Sequence, residues 1–259
     1  MKKMPIRVRS LTELRECLAD HRRDGQTIGF VPTMGALHDG HVSLVKIARE
    51  HSDITVVSIF VNPTQFAPGE DLDTYPRTEE ADIARLAAVD TDIVYLPEVA
   101  EMYPEGSKTN VGVEQMSDVL DGIIRPHFFY GVATVVARVF VHGQPDLAVF
   151  GEKDYQQLQI IRRMVRDLGF PIDVIGGATV RDPDGLAQSS RNTYLQADER
   201  LRANTISAAL HRACCRIKIG VPVEQVVAEA RARIEAAGFD QLDYVNVVDP
   251  MTLEDLPDG

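Results

Sequence analysis

The sequence predicts an α/β fold, a doubly wound parallel sheet joined to a smaller α+β C-terminal domain. Three observations predict it. Short apolar and β-branched runs at 27–31, 54–61, 92–96, 146–150 and 172–175 alternate with segments of helical period, the order that builds a parallel sheet with helices on its faces. The run Ile54-Thr55-Val56-Val57-Ser58-Ile59-Phe60-Val61 is almost wholly apolar, as a strand covered on both faces must be. After Gly176-Gly177 the alternation stops, and a turn-rich stretch and two helical segments follow. The expected domains are therefore residues 1–178 and 179–259.

Leu11, Leu14, Cys17 and Leu18 lie at helical spacing behind Ser10, an N-cap with Glu13 three residues on. Gly25 ends that helix, and the strand 27–31 runs to Pro32. Gly35 and Gly40 punctuate the loop that follows. Val42, Leu44, Val45, Ile47 and Ala48 then give a helix over about 41–51, so His38 and His41 flank its N-terminus. A helix N-terminus has unpaired N–H groups and about half a positive charge, which suits a phosphate. Two histidines three residues apart on that turn can point the same way. Taken alone, H-x-G-H also fits a capped helix with two solvated histidines. A zinc pair lacks further Cys or His at ligand spacing.

Asn62-Pro63 breaks the strand 54–61, and residues 62–77 read as a long polar loop containing Gln65, Phe66, Tyr75 and Arg77. A helix at 78–89 and a strand at 92–96 follow. Residues 97–130 carry many Pro and Gly breakers, and only a short strand at 109–113 is expected there. A helix at 131–141, a strand at 146–150, a helix at 155–168 with Asp154 placed to cap it, and a last sheet strand at 172–175 complete the first domain. Asp182-Pro183-Asp184-Gly185 marks a hairpin turn within 180–191. Helices at 198–218 and 223–237 and a strand at 242–248 follow. His38, Asn62 and Lys153 all come just after predicted strands, on the carboxyl edge where open α/β sheets bind nucleotides.

The 259 residues carry a net charge of -12, which argues against a nucleic-acid surface. An anionic substrate must then be drawn in by a local basic site. Cys17, Cys214 and Cys215 do not form a disulfide framework, which points to a reducing cytoplasm. No apolar core follows the basic Met1-Lys2-Lys3 start, so no signal peptide is read there, and no run reaches membrane-spanning length.

Several blocks in order resemble the pantoate–β-alanine ligase (pantothenate synthetase) family of the H-x-G-H nucleotidyltransferase superfamily. They are V-P-T-M-G-A-L-H-D-G-H at 31–41, V-S-I-F-V-N-P-T-Q-F at 57–66, D-L-D-T-Y-P-R-T at 71–78, G-V-A-T-V-V at 131–136, F-G-E-K-D-Y-Q-Q-L at 150–158 and D-G-L-A-Q-S-S-R-N-T-Y-L at 184–195. The resemblance implies a Rossmann-like catalytic domain and a small C-terminal lid. It implies adenylation of pantoate by ATP, then attack by the amine of β-alanine, with release of pyrophosphate and AMP. By resemblance His38, His41, Lys153 and Arg191 are catalytic. Met34, Gly40, His41, Gly151, Lys153, Asp154, Val180, Ser189, Ser190 and Arg191 bind ATP, and Met34, Asn62, Gln65 and Gln157 bind pantoate.

Each of these residues also has a plainer reading: Lys153 as a solvated loop lysine, Ser189-Ser190-Arg191 as a polar turn, the two glutamines as surface amides. Asp154 reads as a helix cap, a ribose acceptor, or both. The resemblance further implies Mg2+ carried on the ATP phosphates, with no metal ligand from the protein, and a homodimer. Competing functions are a plain adenylyltransferase of the same superfamily and a non-catalytic nucleotide-binding paralogue.

The chain departs from the family pattern in four places. Arg125-Pro126-His127-Phe128-Phe129-Tyr130-Gly131-Val132 stands where the family reads R-P-G-H-F-x-G-V, and Gln188 stands where it has Met or Leu. Gly176-Gly177-Ala178 replaces Gly-Val-Pro, which predicts a loosened hinge. The chain stops at Gly259 before a T-R-L-I-D-N-like strand, so the strand at 242–248 is expected to have one unpaired edge.

Overall fold

The sheet is built from Ile6–Val8 (β1), Ile28–Thr33 (β2), Ile54–Ile59 (β3), Ile93–Tyr95 (β4), Leu147–Gly151 (β5) and Asp173–Gly177 (β6). All six strands are parallel, in the spatial order β1-β4-β3-β2-β5-β6. The computed structural model describes residues 4–256. The edge strand β1 was not among the predicted strands. It has three residues, pairs Ile6 with Ile93, and buries only Val8, too short and too exposed for a periodic signal.

Helices cover both faces. Leu11–Arg23 (α1) begins at Ser10, whose side chain accepts the Glu13 N–H while Glu13 reaches back to the cap. Asp39–His51 (α2) and Glu79–Ala88 (α3) lie on the other face. Two short helices, Val99–Met102 (α4) and Asp121–Ile124 (α5), occupy the stretch that the sequence left unread, and no strand forms at 109–113. Phe128–Gly143 (α6) and Tyr155–Leu168 (α7) then join α1 on the first face. One core packs Leu14, Leu18, Val136, Phe140, Leu158 and Ile161 beneath Ile28, Phe30, Val56 and Phe150. The opposite core packs Leu44, Val45, Ile83 and Leu86 beneath Val31, Val57, Val94 and Val149. Successive residues of β2 and β3 thus feed opposite layers, which is why those runs are apolar without alternation.

Beyond β6, Ala197–Lys218 (α8) and Val223–Glu235 (α9) pack against each other around Ala209, Ala230, Ile234 and Val245. The hairpin expected at 180–191 forms, with an antiparallel bridge from Arg181 to Ala187 around the Gly185 turn. Two other expectations fail here. No strand forms at 242–248; Val248 makes a lone bridge to Asp255, and Leu253 packs into the first-face core. An isolated segment without a neighbouring strand has no ladder to join, whatever its residue types. The glycine pair is not a loose hinge either. Gly176 and Gly177 lie inside β6, paired with Phe150 and Gly151, and a Cβ on Gly177 would overlap Leu44 Cδ2. Gly177 admits a close approach of α2 to the strand, and Gly176 faces Leu158 of α7 on the other side.

Candidate functional site

The loop from β2 to α2 sets the site's geometry. Thr33 ends the strand with its hydroxyl donating to the Ser58 carbonyl at 2.8 Å. Gly35 and Ala36 then take positive φ, 83° and 49°, a conformation that is uncommon for a residue with a Cβ. The loop is held from α3 by the buried Asp82, whose carboxylate accepts the Ala36 N–H at 2.9 Å and the Leu37 N–H at 2.8 Å. Thr78 Oγ1 donates to the same group at 3.2 Å. Asp82 carries no motif at the sequence level. Its function shows only once α3 packs beside the loop.

His38 is the N-cap of α2. Its Nδ1 accepts the Gly40 N–H at 3.1 Å, and the Nδ1 of His41 accepts the His38 N–H at 3.3 Å. The rings lie 4.1 Å apart. A ring nitrogen that accepts an N–H carries no proton, so each neutral ring keeps its proton on Nε2. Burial is the main cause that holds the His41 imidazole down at about pKa 3, with His38 and then Lys153 adding to it. Burial and the Lys153 ammonium likewise push His38 below its ordinary value. At neutral pH both rings are therefore neutral donors, and the positive charge comes from elsewhere.

That charge is supplied by Lys153, Arg191 and Arg125, which line one cavity with Met34, Gly40, Gly151 and Gln157. Lys153 lies in the turn between β5 and α7 and pairs with Asp154 at 3.2 Å. Asp154 occupies the N-cap position of α7 but makes no side-chain cap bond, so the capping expectation fails and its carboxylate faces the lysine. Val180, Ser189 and Ser190 reach the same cavity from the C-terminal segment. Arg191 is not a free anion clamp. Asp71 takes its Nε and Nη2, each at 2.9 Å, which raises the guanidinium pKa and lowers that of the carboxyl. The Tyr75 hydroxyl and Ser190 Oγ are 3.0 Å apart beside it.

Asn62 is the predicted site residue that stays off the cavity wall. It is buried, its Nδ2 donates to Gln65 Oε1 at 3.0 Å, and its Oδ1 accepts from Tyr103 at 2.8 Å. Asn62 therefore fixes the Gln65 amide, leaving Gln65 Nε2 to face the cavity. Behind Gln65, α6 presents Val132, Val135, Val136 and Val139 as an apolar wall with Phe60. Phe128 lies under the Arg125 guanidinium at 3.9 Å, and Glu70 holds that guanidinium at 2.9 Å. The sequence reading assigned no role to Arg125, and it transferred none to Phe128, which stands where the family pattern has His.

The family model for pantoate-beta-alanine ligase matches residues 7–258. The chain belongs to this family. A pantothenate synthetase of Hyphomonas neptunium is 63% identical over 257 residues, 99% of this chain and 88% of the relative. The crystal structure of the Thermus thermophilus pantothenate synthetase superposes with a TM-score of 0.93 at 46% identity, covering 98% of this chain and 91% of that one. A pantoate-beta-alanine ligase from Francisella tularensis, solved with beta-gamma ATP and beta-alanine, gives a TM-score of 0.78 at 35% identity, over 88% and 86% of the two chains. The pantoate–β-alanine ligase fold thus accounts for the whole parallel sheet and its helices.

Proposed function

We propose that this chain condenses pantoate with β-alanine to pantothenate, using ATP. One observation carries the reading: a single cavity joins the α2 N-terminus and Lys153 to the Gln65 and Gln157 amides and the valine wall of α6. The first end suits a triphosphate. The second suits a small polyol acid with a dimethyl carbon, because valines cover the methyl groups while the amides bond the hydroxyls and carboxylate.

In the first step a carboxylate oxygen of pantoate attacks the α-phosphorus, and pyrophosphate leaves with the bond's electrons. In the second, the β-alanine nitrogen attacks the acyl carbon, loses a proton, and AMP departs. The protein's part is to place and stabilise charge. Lys153 and the Nε2–H groups of His38 and His41 face the oxygens on which charge grows. Asp71 aims Arg191 and leaves its Nη1 for the nucleotide, with Ser189 and Ser190 beside it. Asn62 acts through Gln65, as a positioning residue for pantoate. Residues 179–259 serve as a lid over the nucleotide, since Val180 and Ser189 to Arg191 close one side of the cavity.

A divalent cation, Mg2+, enters with the ATP in this reading. Among the described residues no group of three or more His, Cys, Asp and Glu side chains is placed to hold a metal. The carboxylate on the cavity wall, Asp154, is paired with Lys153. The donor set does not fit a protein-held cation, so its ligands are the nucleotide's own phosphates. A homodimer in the cytoplasm belongs to the proposal on the family's pattern, and sedimentation at micromolar concentration tests the assembly. No helix among the described residues is long and apolar enough to cross a membrane.

Exchange of labelled pyrophosphate into ATP tests the reaction. It should require pantoate and a divalent cation, and should not require β-alanine. Exchange of equal rate without pantoate would refute the ligase reading and favour a plain adenylyltransferase.

A further inference from the structure

We propose that Gln188 is a positioning residue that sets ATP affinity, by holding the C-terminal segment on α2 and competing with the phosphates for the Gly40 N–H. The proposal rests on the reading of the α2 N-terminus as the phosphate site. Gln188 Oε1 accepts the Gly40 N–H at 3.2 Å, the same N–H that His38 Nδ1 takes at 3.1 Å. Its Nε2 donates to Asp182 Oδ1 at 3.1 Å. Asp182 is fixed in turn by Arg200 of α8 at 2.9 Å, and Arg200 also holds Asp184 at 2.5 Å. The backbone agrees, since the Gln188 N–H donates to the Val180 carbonyl at 3.0 Å.

This chain of contacts fixes which end of the amide faces the helix. Turning the amide over would set its NH2 against the Gly40 N–H and its oxygen against the Asp182 carboxylate, two repulsive contacts in place of two bonds. The oxygen therefore stays on the helix end. A phosphate oxygen is also an acceptor, and one N–H already shared between two acceptors has no room for a third. ATP reaches Gly40 only as Gln188 withdraws. Because Ser189, Ser190 and Arg191 follow directly in the chain, the withdrawal moves the groups expected to grip the nucleotide. Part of the ATP binding free energy goes into breaking this contact.

The test is calorimetric titration of Mg-ATP into the full chain and into Gln188→Met and Gln188→Leu, both of which keep bulk and lose the acceptor. Each variant should bind ATP about two- to tenfold more tightly, the range one net hydrogen bond spans. The KM for ATP should fall in step. Unchanged or weaker binding in the variants that fold overturns the proposal. The 15N–1H resonance of Gly40 in the unsubstituted protein separates the two levels of inference. If ATP leaves that resonance in place, the phosphate site itself is misassigned. If ATP shifts it while the variants bind no more tightly, only the competition by Gln188 is refuted.

Discussion

Replacing His41 by glutamine should remove a measurable acid sensitivity from the folding equilibrium. His41 is held at about pKa 3 in the folded protein, burial being the main cause. An unfolded histidine titrates near about 6.5. Between those values the unfolded chain binds a proton at this position and the folded chain does not, so stability falls as pH drops below about 6.5 and the loss is complete only near about 3. At about pH 5 the unfolded group lies roughly one and a half units below its pKa, and each unit corresponds to about 1.4 kcal/mol, which gives a ceiling of about 2 kcal/mol. The ring keeps some contact with solvent through the cavity, so about 1–2 kcal/mol is expected after screening. Glutamine retains an acceptor for the His38 N–H, which is 3.3 Å from Nδ1 in the native protein, and it does not titrate. Urea unfolding of both proteins at about pH 7.5 and about pH 5 checks the effect as a double difference. The native protein should lose about 1–2 kcal/mol more than His41→Gln on acidification, with unchanged m-values. A double difference under about 0.3 kcal/mol would mean that His41 titrates normally, and the neutral-donor account of the α2 terminus would fail with it.

Lys153→Ala should keep the fold and lower kcat for pyrophosphate exchange by about 10² to 10³, the cost of one charged transition-state contact; normal turnover would place the phosphates elsewhere. Asp82→Asn turns a buried acceptor of the Ala36 and Leu37 N–H groups into a group with only one accepting atom. It should cost about 1–3 kcal/mol in thermal unfolding and lower kcat of the protein that remains folded, measured by active-site titration. Gly177→Ala forces a Cβ into Leu44 Cδ2 and should destabilise by about 1–3 kcal/mol in urea titrations; a neutral result would show that the Leu44 side chain gives way without cost.

The parallel sheet and the H-x-G-H and G-E-K-D groups gathered at its carboxyl edge were legible in the sequence because both are written locally. A strand covered on two faces is continuously apolar, and β2, β3 and β5 read that way. H-x-G-H and G-E-K-D sit immediately after such strands, so the carboxyl edge collects them without knowledge of any distant contact. The Ser10 cap with Glu13 was likewise contained in four consecutive residues.

Tertiary structure decided what depends on partners far apart in the chain. Asp82 acts on a loop 45 and 46 residues away, and Asp71 holds Arg191 across 120 residues. Gln188 reaches Gly40 across 148. Each is an ordinary polar residue until packing supplies its neighbour. Packing also reversed two local readings: Gly176-Gly177 became a close contact instead of a hinge, and the β-prone segment at 242–248 found no strand beside it. The protonation of the histidines belongs to the same class, because the imidazole type sets a pKa near about 6.5 and only the burial and neighbouring charge of the assembled site bring His41 down to about 3.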